Sequence, residues 1–152
     1  LSQQLNRLAS EHGWRWLIAT SRRTGADIEK LLQSSIRPEY ILDAVWWDAD
    51  PRKVIRPFLG LADMVLVGSD SMTMVSEAAC SGRTVIIYEP EQKKPSHMID
   101  DFIGNLAQKK LVLVASCSSI FDTMEQRSSL VPWCHSPLQG YAEQVWQILN
   151  EN

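Results

Sequence analysis

Two short polar runs carry the residue types suited to holding an anion, Ser21-Arg-Arg-Thr24 and Gly68-Ser-Asp-Ser-Met72. Each follows an apolar stretch, residues 14–20 and 64–67, and leads into a helical pattern. In an open parallel sheet such strand-to-helix loops gather at one edge, where helix N-termini offer free N–H groups and the positive end of a dipole. In the second run Gly68 allows close backbone approach, Ser69 and Ser71 offer hydroxyls, and the following helix start suits a phosphate. The same Ser69, Asp70 and Ser71 would cap that helix equally well with no ligand at all. In the first run Arg22 and Arg23 could grip a diphosphate bidentately, although most surface arginine pairs are simply solvated. Glu77, about one and a half helical turns beyond Ser71, is within reach of ribose hydroxyls; an exposed helical glutamate is the plainer explanation.

Other chemistries find less support. No GxGxxG follows the first strand and no GxxxxGK[ST] occurs, so the dinucleotide fingerprint and the P-loop are both missing. His12, His97 and His135 are far apart and share no ligand spacing with cysteine or carboxylate, which argues against a metal site. No Ser-His-Asp or Cys-His set follows from spacing, and Cys80 among alanines suits small-residue packing. His97, near Lys93 and Lys94, belongs to a loop expected at the same sheet edge. Trp14, Trp16 and Trp146 read as core or interface, whereas Trp46-Trp47-Asp48 at the end of a strand is harder to assign to packing.

The elements that must position these residues alternate along the chain. Strands are expected over residues 14–20, 40–46, 64–67, 85–88 and 111–114, with helical patterns between them. Leu1, Leu5 and Leu8 share one helical face; Ile28, Leu31 and Leu32 another; Met98, Ile99, Phe102, Ile103 and Leu106 a third. Asp48-Ala-Asp-Pro51 suits a helix start, Pro57 would shorten or bend that helix, and Gly82 suits a left-handed helix end. Residues 116–140 are Ser- and Pro-rich, and Leu138, Tyr141, Val145, Ile148 and Leu149 form a closing amphipathic pattern. Continuous apolar strands separated by helices imply an α/β fold: a Rossmann-like, doubly wound parallel sheet of about five or six strands in three α/β/α layers.

Bulk properties agree with one such domain over residues 1–152. The chain is 45% hydrophobic and 22% charged, enough for a real core. A net charge of −3 gives no global attraction to nucleic acid, so anion binding must be local. Three widely spaced cysteines argue against a disulfide framework and favour a reducing compartment. No apolar run reaches the roughly 20 residues of a membrane span, and no signal-peptide pattern opens the chain. A cytoplasmic protein, at most peripheral at a membrane, is expected. Residue 1 is Leu, and the chain is expected to be a C-terminal fragment of a longer two-domain protein.

Thr20-Ser-Arg-Arg-Thr24, Trp47-Asp48, Leu61-Ala-Asp63, Ser69-Asp-Ser-Met72 and Ser76-Glu-Ala78 together resemble the ELM1-like family, named for mitochondrial fission, over roughly residues 15–110. That family is similar to GT-B glycosyltransferases, and the chain resembles their C-terminal, nucleotide-sugar-binding half. The resemblance implies that Ser21, Arg22, Arg23 and Thr24 meet the diphosphate, that Ser69, Asp70, Ser71 and Met72 line its other side, and that Glu77 holds the ribose. It implies a UDP-, GDP- or ADP-type sugar as substrate rather than a tightly bound cofactor, with an acceptor held by an N-terminal domain of the same protein. Gly25 and residues 48–52 depart from the family pattern. No catalytic residue is assigned within this chain, and alone it is expected to be inactive.

Three functions follow as expectations. The first is the donor-binding domain of a glycosyltransferase. A GT-B-type nucleotide-sugar epimerase would share the pocket but needs acid and base groups on both faces of the sugar. A non-catalytic interaction module would keep the fold and lose the chemistry, with a partner patch built from Trp133, Tyr141 and Trp146.

Overall fold

The computed structural model describes residues 1–90 and 96–131. The expected closing helix, the patch of Trp133, Tyr141 and Trp146, and Lys93 and Lys94 lie outside the described residues. Within them the order is α1 (Ser2–His12), β1 (Trp16–Ala19), α2 (Ala26–Ser35), β2 (Ile41–Val45), α3 (Ile55–Leu61), β3 (Met64–Gly68), α4 (Met72–Ala79), β4 (Thr84–Glu89), α5 (His97–Gln108), β5 (Leu113–Ser116) and α6 (Ile120–Met124).

Every strand pair among the described residues is parallel, but the five strands do not form the one sheet of five or six strands expected from the sequence. β1 pairs with β2, and β3, β4 and β5 form a separate sheet with β4 at its centre. The inner strands of the two sheets, β1 and β3, line a cleft instead of pairing with each other. The arrangement remains α/β with helices between parallel strands, consistent with a Rossmann-like fold. Hydropathy could not foresee the split, because a strand facing an apolar cleft and a strand paired on both sides carry the same residues.

The three-stranded sheet is covered on both faces, and the two-residue period of a strand decides which side chain goes where. Val85 and Ile87 of β4 point with Val65 and Val67 of β3 into one cluster, closed by Val75, Ala78 and Ala79 of α4 and Ile103 and Leu106 of α5. Ile86 and Tyr88 point the other way, with Met64 and Leu66, into a cluster closed by Leu8 of α1 and by Ile120 and Met124 of α6. Trp14 and Trp16 pack against this second cluster, their rings edge to face.

Several boundaries differ from the expectation for identifiable reasons. β5 starts at Leu113 because Lys110 adopts φ 57° and the backbone N–H of Leu111 is already donated to Leu106. α3 starts at Ile55, not near Pro51: Arg52 donates to the Ala44 carbonyl at 3.2 Å and pairs with Asp43 and Asp50, which holds the preceding segment beside β2. Pro57 then falls in the first helical turn, where its missing N–H has no partner to lose. Gly82 takes φ 72° in the turn into β4, two residues after the right-handed Cys80 that ends α4. Cys80 is exposed rather than packed. Ile28, Leu31 and Met98, which belong to the apolar helical faces read from the sequence, are exposed as well.

The two-sided burial of β4 sets a stability contrast. Ile87→Ala is expected to cost about 2–5 kcal/mol, because Ile87 is fully buried between α4 and α5. Leu31→Ala, at an exposed position on α2, should stay within about 0.5 kcal/mol. Urea unfolding of the two variants checks both values.

Candidate functional site

The chain leaves β1 at Thr20 and turns at once. Thr24 donates its backbone N–H to the Ser21 carbonyl at 2.8 Å, the Ser21 N–H donates to Thr24 Oγ1 at 3.1 Å, and the Arg23 N–H donates to Ser21 Oγ at 3.2 Å. The hydroxyls of Ser21 and Thr24 are thus engaged in shaping the turn. The side chains of Arg22 and Arg23 are left at the exposed rim.

Beneath this turn sits a buried carboxylate that sequence reading missed. Glu29 of α2 is 3% exposed. Its Oε1 accepts from the Thr20 hydroxyl at 2.5 Å and its Oε2 from the Asp48 N–H at 3.1 Å. The Thr20 hydroxyl oxygen in turn accepts the Trp47 N–H at 2.8 Å. One carboxylate therefore ties the carboxyl ends of β1 and β2 together. Nothing in the hydropathy of α2 marked it, since the apolar residues of that helix suggested a different inward face.

On the other side of the cleft, β3 ends at Gly68. A Cβ there would come within 2.8 Å of Asp70 Oδ1 and 3.3 Å of the Tyr88 hydroxyl, so a side chain would displace both. Ser71 caps α4, accepting from the Met74 N–H at 3.5 Å. Arg23 Nη1 crosses between the two loops and donates to the Asp70 carbonyl at 3.2 Å.

Ser21, Arg22, Arg23, Thr24, Asp70 and Ser71 all line one cleft of ≈ 1230 Å³. Trp47, Phe58, Leu59 and Tyr88 line it too. Three further expected residues sit elsewhere. Ser69 is fully buried, its N–H donated to the Tyr88 carbonyl, and its hydroxyl has no hydrogen-bond partner among the described residues. Met72 is half-buried in the first turn of α4, and Glu77 is exposed farther along that helix; neither lines the cleft. Among the described residues no three His, Cys, Asp or Glu side chains come together as a metal site would require.

The Tyr88 phenol is pushed up to about 12, first by burial, then by the Asp70 carboxylate, then by Cys117. Because the folded value lies above the ordinary 10.0, the protonated phenol favours the folded state. This contribution is present in full below about pH 10 and is lost as the pH rises through about 12. Asp70→Asn is expected to move the Tyr88 titration down toward 10, followed by phenolate absorbance; an unmoved titration would leave burial and Cys117 as the causes.

The mitochondrial fission ELM1 family model matches residues 1–149 of the chain. An uncharacterised protein of Rickettsia prowazekii (strain Madrid E) is 27% identical over 114 residues, which is 74% of this chain and 32% of that protein. The chain thus spans about a third of that relative's length. No solved structure gives a significant match.

Proposed function

The chain belongs to the mitochondrial fission ELM1 family, and from that premise we propose that its cleft is the donor site for a nucleotide-diphosphate sugar in a GT-B-like glycosyltransferase. One observation carries the reading: a turn presenting two arginines and the capped start of α4 line the same cleft, at the carboxyl ends of parallel strands, and Arg23 reaches from one to the other. Guanidinium groups and free helix N–H groups are the donors a diphosphate requires. The resemblance of the chain to the C-terminal half of GT-B enzymes supports the same assignment.

In the proposed reaction the bond between the anomeric carbon and the β-phosphate oxygen breaks, and its electron pair leaves with the diphosphate. Arg22 and Arg23 neutralise the charge that builds there. The acceptor oxygen forms the new bond at the anomeric carbon, and its proton passes to a base outside this chain, on the domain that holds the acceptor. Metal is not required, since the arginines supply the positive charge. No helix among the described residues is long and apolar enough to cross a membrane, and a cytoplasmic, at most membrane-peripheral, location is part of the proposal.

Calorimetry with UDP, GDP, ADP, TDP and CMP tests the reading. One nucleoside diphosphate is expected to bind, with affinity unchanged by EDTA. Arg22→Ala and Arg23→Ala should each weaken it by about ten- to hundredfold, the worth of a charge-assisted hydrogen bond. Unchanged affinity in both variants would remove the arginine turn from the site. An intact protein that binds none of these nucleotides would favour the interaction module instead.

A further inference from the structure

Trp47 is displayed rather than stored. It lines the cleft that holds the arginine turn, yet the residue remains 43% exposed. An indole left facing water forgoes burial that most large apolar side chains achieve. Its backbone, by contrast, is firmly held. The Trp47 N–H donates to Thr20 Oγ1 at 2.8 Å, and the Asp48 N–H donates to Glu29 Oε2 at 3.1 Å. The Thr20 hydroxyl carries one proton, and its 2.5 Å contact with Glu29 Oε1 is the better acceptor geometry than the 3.2 Å contact with the Val45 carbonyl.

Thr20 also immediately precedes the Ser21 to Thr24 turn, so the backbone that carries the indole and the turn that carries the two arginines meet at one anchor, Thr20 on the buried Glu29. Thr20 and Glu29 therefore hold the backbone of residues 47 and 48 beside the start of the turn, and the Asp70 carbonyl holds the Arg23 guanidinium from the other side of the cleft. A ligand that uses both ends of such a unit has an aromatic plane at one end and an anion at the other.

We infer that the Trp47 indole is the platform on which the ligand's nucleobase stacks, its backbone held beside the diphosphate-binding arginine turn by Thr20 and the buried Glu29. This rests on the reading of the cleft as a nucleoside-diphosphate site. Stacking uses the π-face that every base possesses, so it supplies affinity without choosing strongly among bases. Trp47 is a binding residue here, and Glu29 is a positioning residue that acts through Thr20 and the backbone of residues 47 and 48.

The test compares inorganic pyrophosphate, the nucleoside diphosphate that binds best, and its sugar derivative by calorimetry on the full-length protein. Trp47→Ala is expected to weaken the nucleoside diphosphate by about five- to hundredfold and to leave pyrophosphate unchanged. Trp47→Phe, which keeps an aromatic face, should recover most of the loss. Glu29→Gln should weaken both probes, because it loosens ring and turn together. Equal losses for the two probes in Trp47→Ala, or no loss in either, would overturn the stacking role while leaving the diphosphate site standing. A loss confined to the sugar derivative would overturn it as well and put the ring against the sugar. If the unaltered protein binds neither pyrophosphate nor any nucleotide, the donor-site reading falls and the stacking role falls with it.

Discussion

A carboxylate taken out of water must be given donors, or its desolvation costs several kcal/mol. In this chain Glu29 meets that demand with the Thr20 hydroxyl and the Asp48 N–H, and the geometry of the cleft follows from it. Thr20 follows β1 and residues 47 and 48 follow β2, so satisfying one side chain ties together the starts of the two loops. The arginine turn begins at that tie. Its own hydrogen bonds, between Ser21 and Thr24 and from Arg23 to Ser21, then close it within four residues.

The opposite wall of the cleft is held by different physics. β3 borders a sheet whose central strand is buried on both faces, with Val85 and Ile87 on one side and Ile86 and Tyr88 on the other. Non-directional apolar packing sets this wall, and polar satisfaction sets the wall formed by β1 and β2. Tyr88 belongs to both worlds. Its ring packs in the second cluster, while its hydroxyl lies near Gly68 and Asp70 at the cleft.

Much of this was legible in the sequence, and the exceptions share a cause. The α/β alternation, the five strands and the stripe of Ile99, Phe102, Ile103 and Leu106 follow from apolar periodicity, which reports local burial well. The arginine turn and the Ser71 cap were legible because their residue types have local roles. The division into two sheets was not legible, since strand pairing across β1 and β3 leaves no trace in composition. Glu29 was hidden for a related reason: its partners are nine and nineteen residues away, and no periodic pattern announces a carboxylate that turns inward. Cys80, exposed at the end of α4, shows the reverse error, an apolar-looking neighbourhood that surrounds a surface residue.

The two-part sheet has a colloidal consequence. β3, reading Met64-Val-Leu-Val-Gly68, pairs only with β4 among the described residues, so its other edge keeps backbone groups able to recruit a foreign strand. The segment carries no charge and no proline. It is bracketed by Asp63 and Asp70, both exposed, and flanking charges of this kind oppose the stacking of like strands from separate molecules. The acidic residues that frame the cleft thereby also act as gatekeepers of solubility, guarding the strand whose end the cleft needs open.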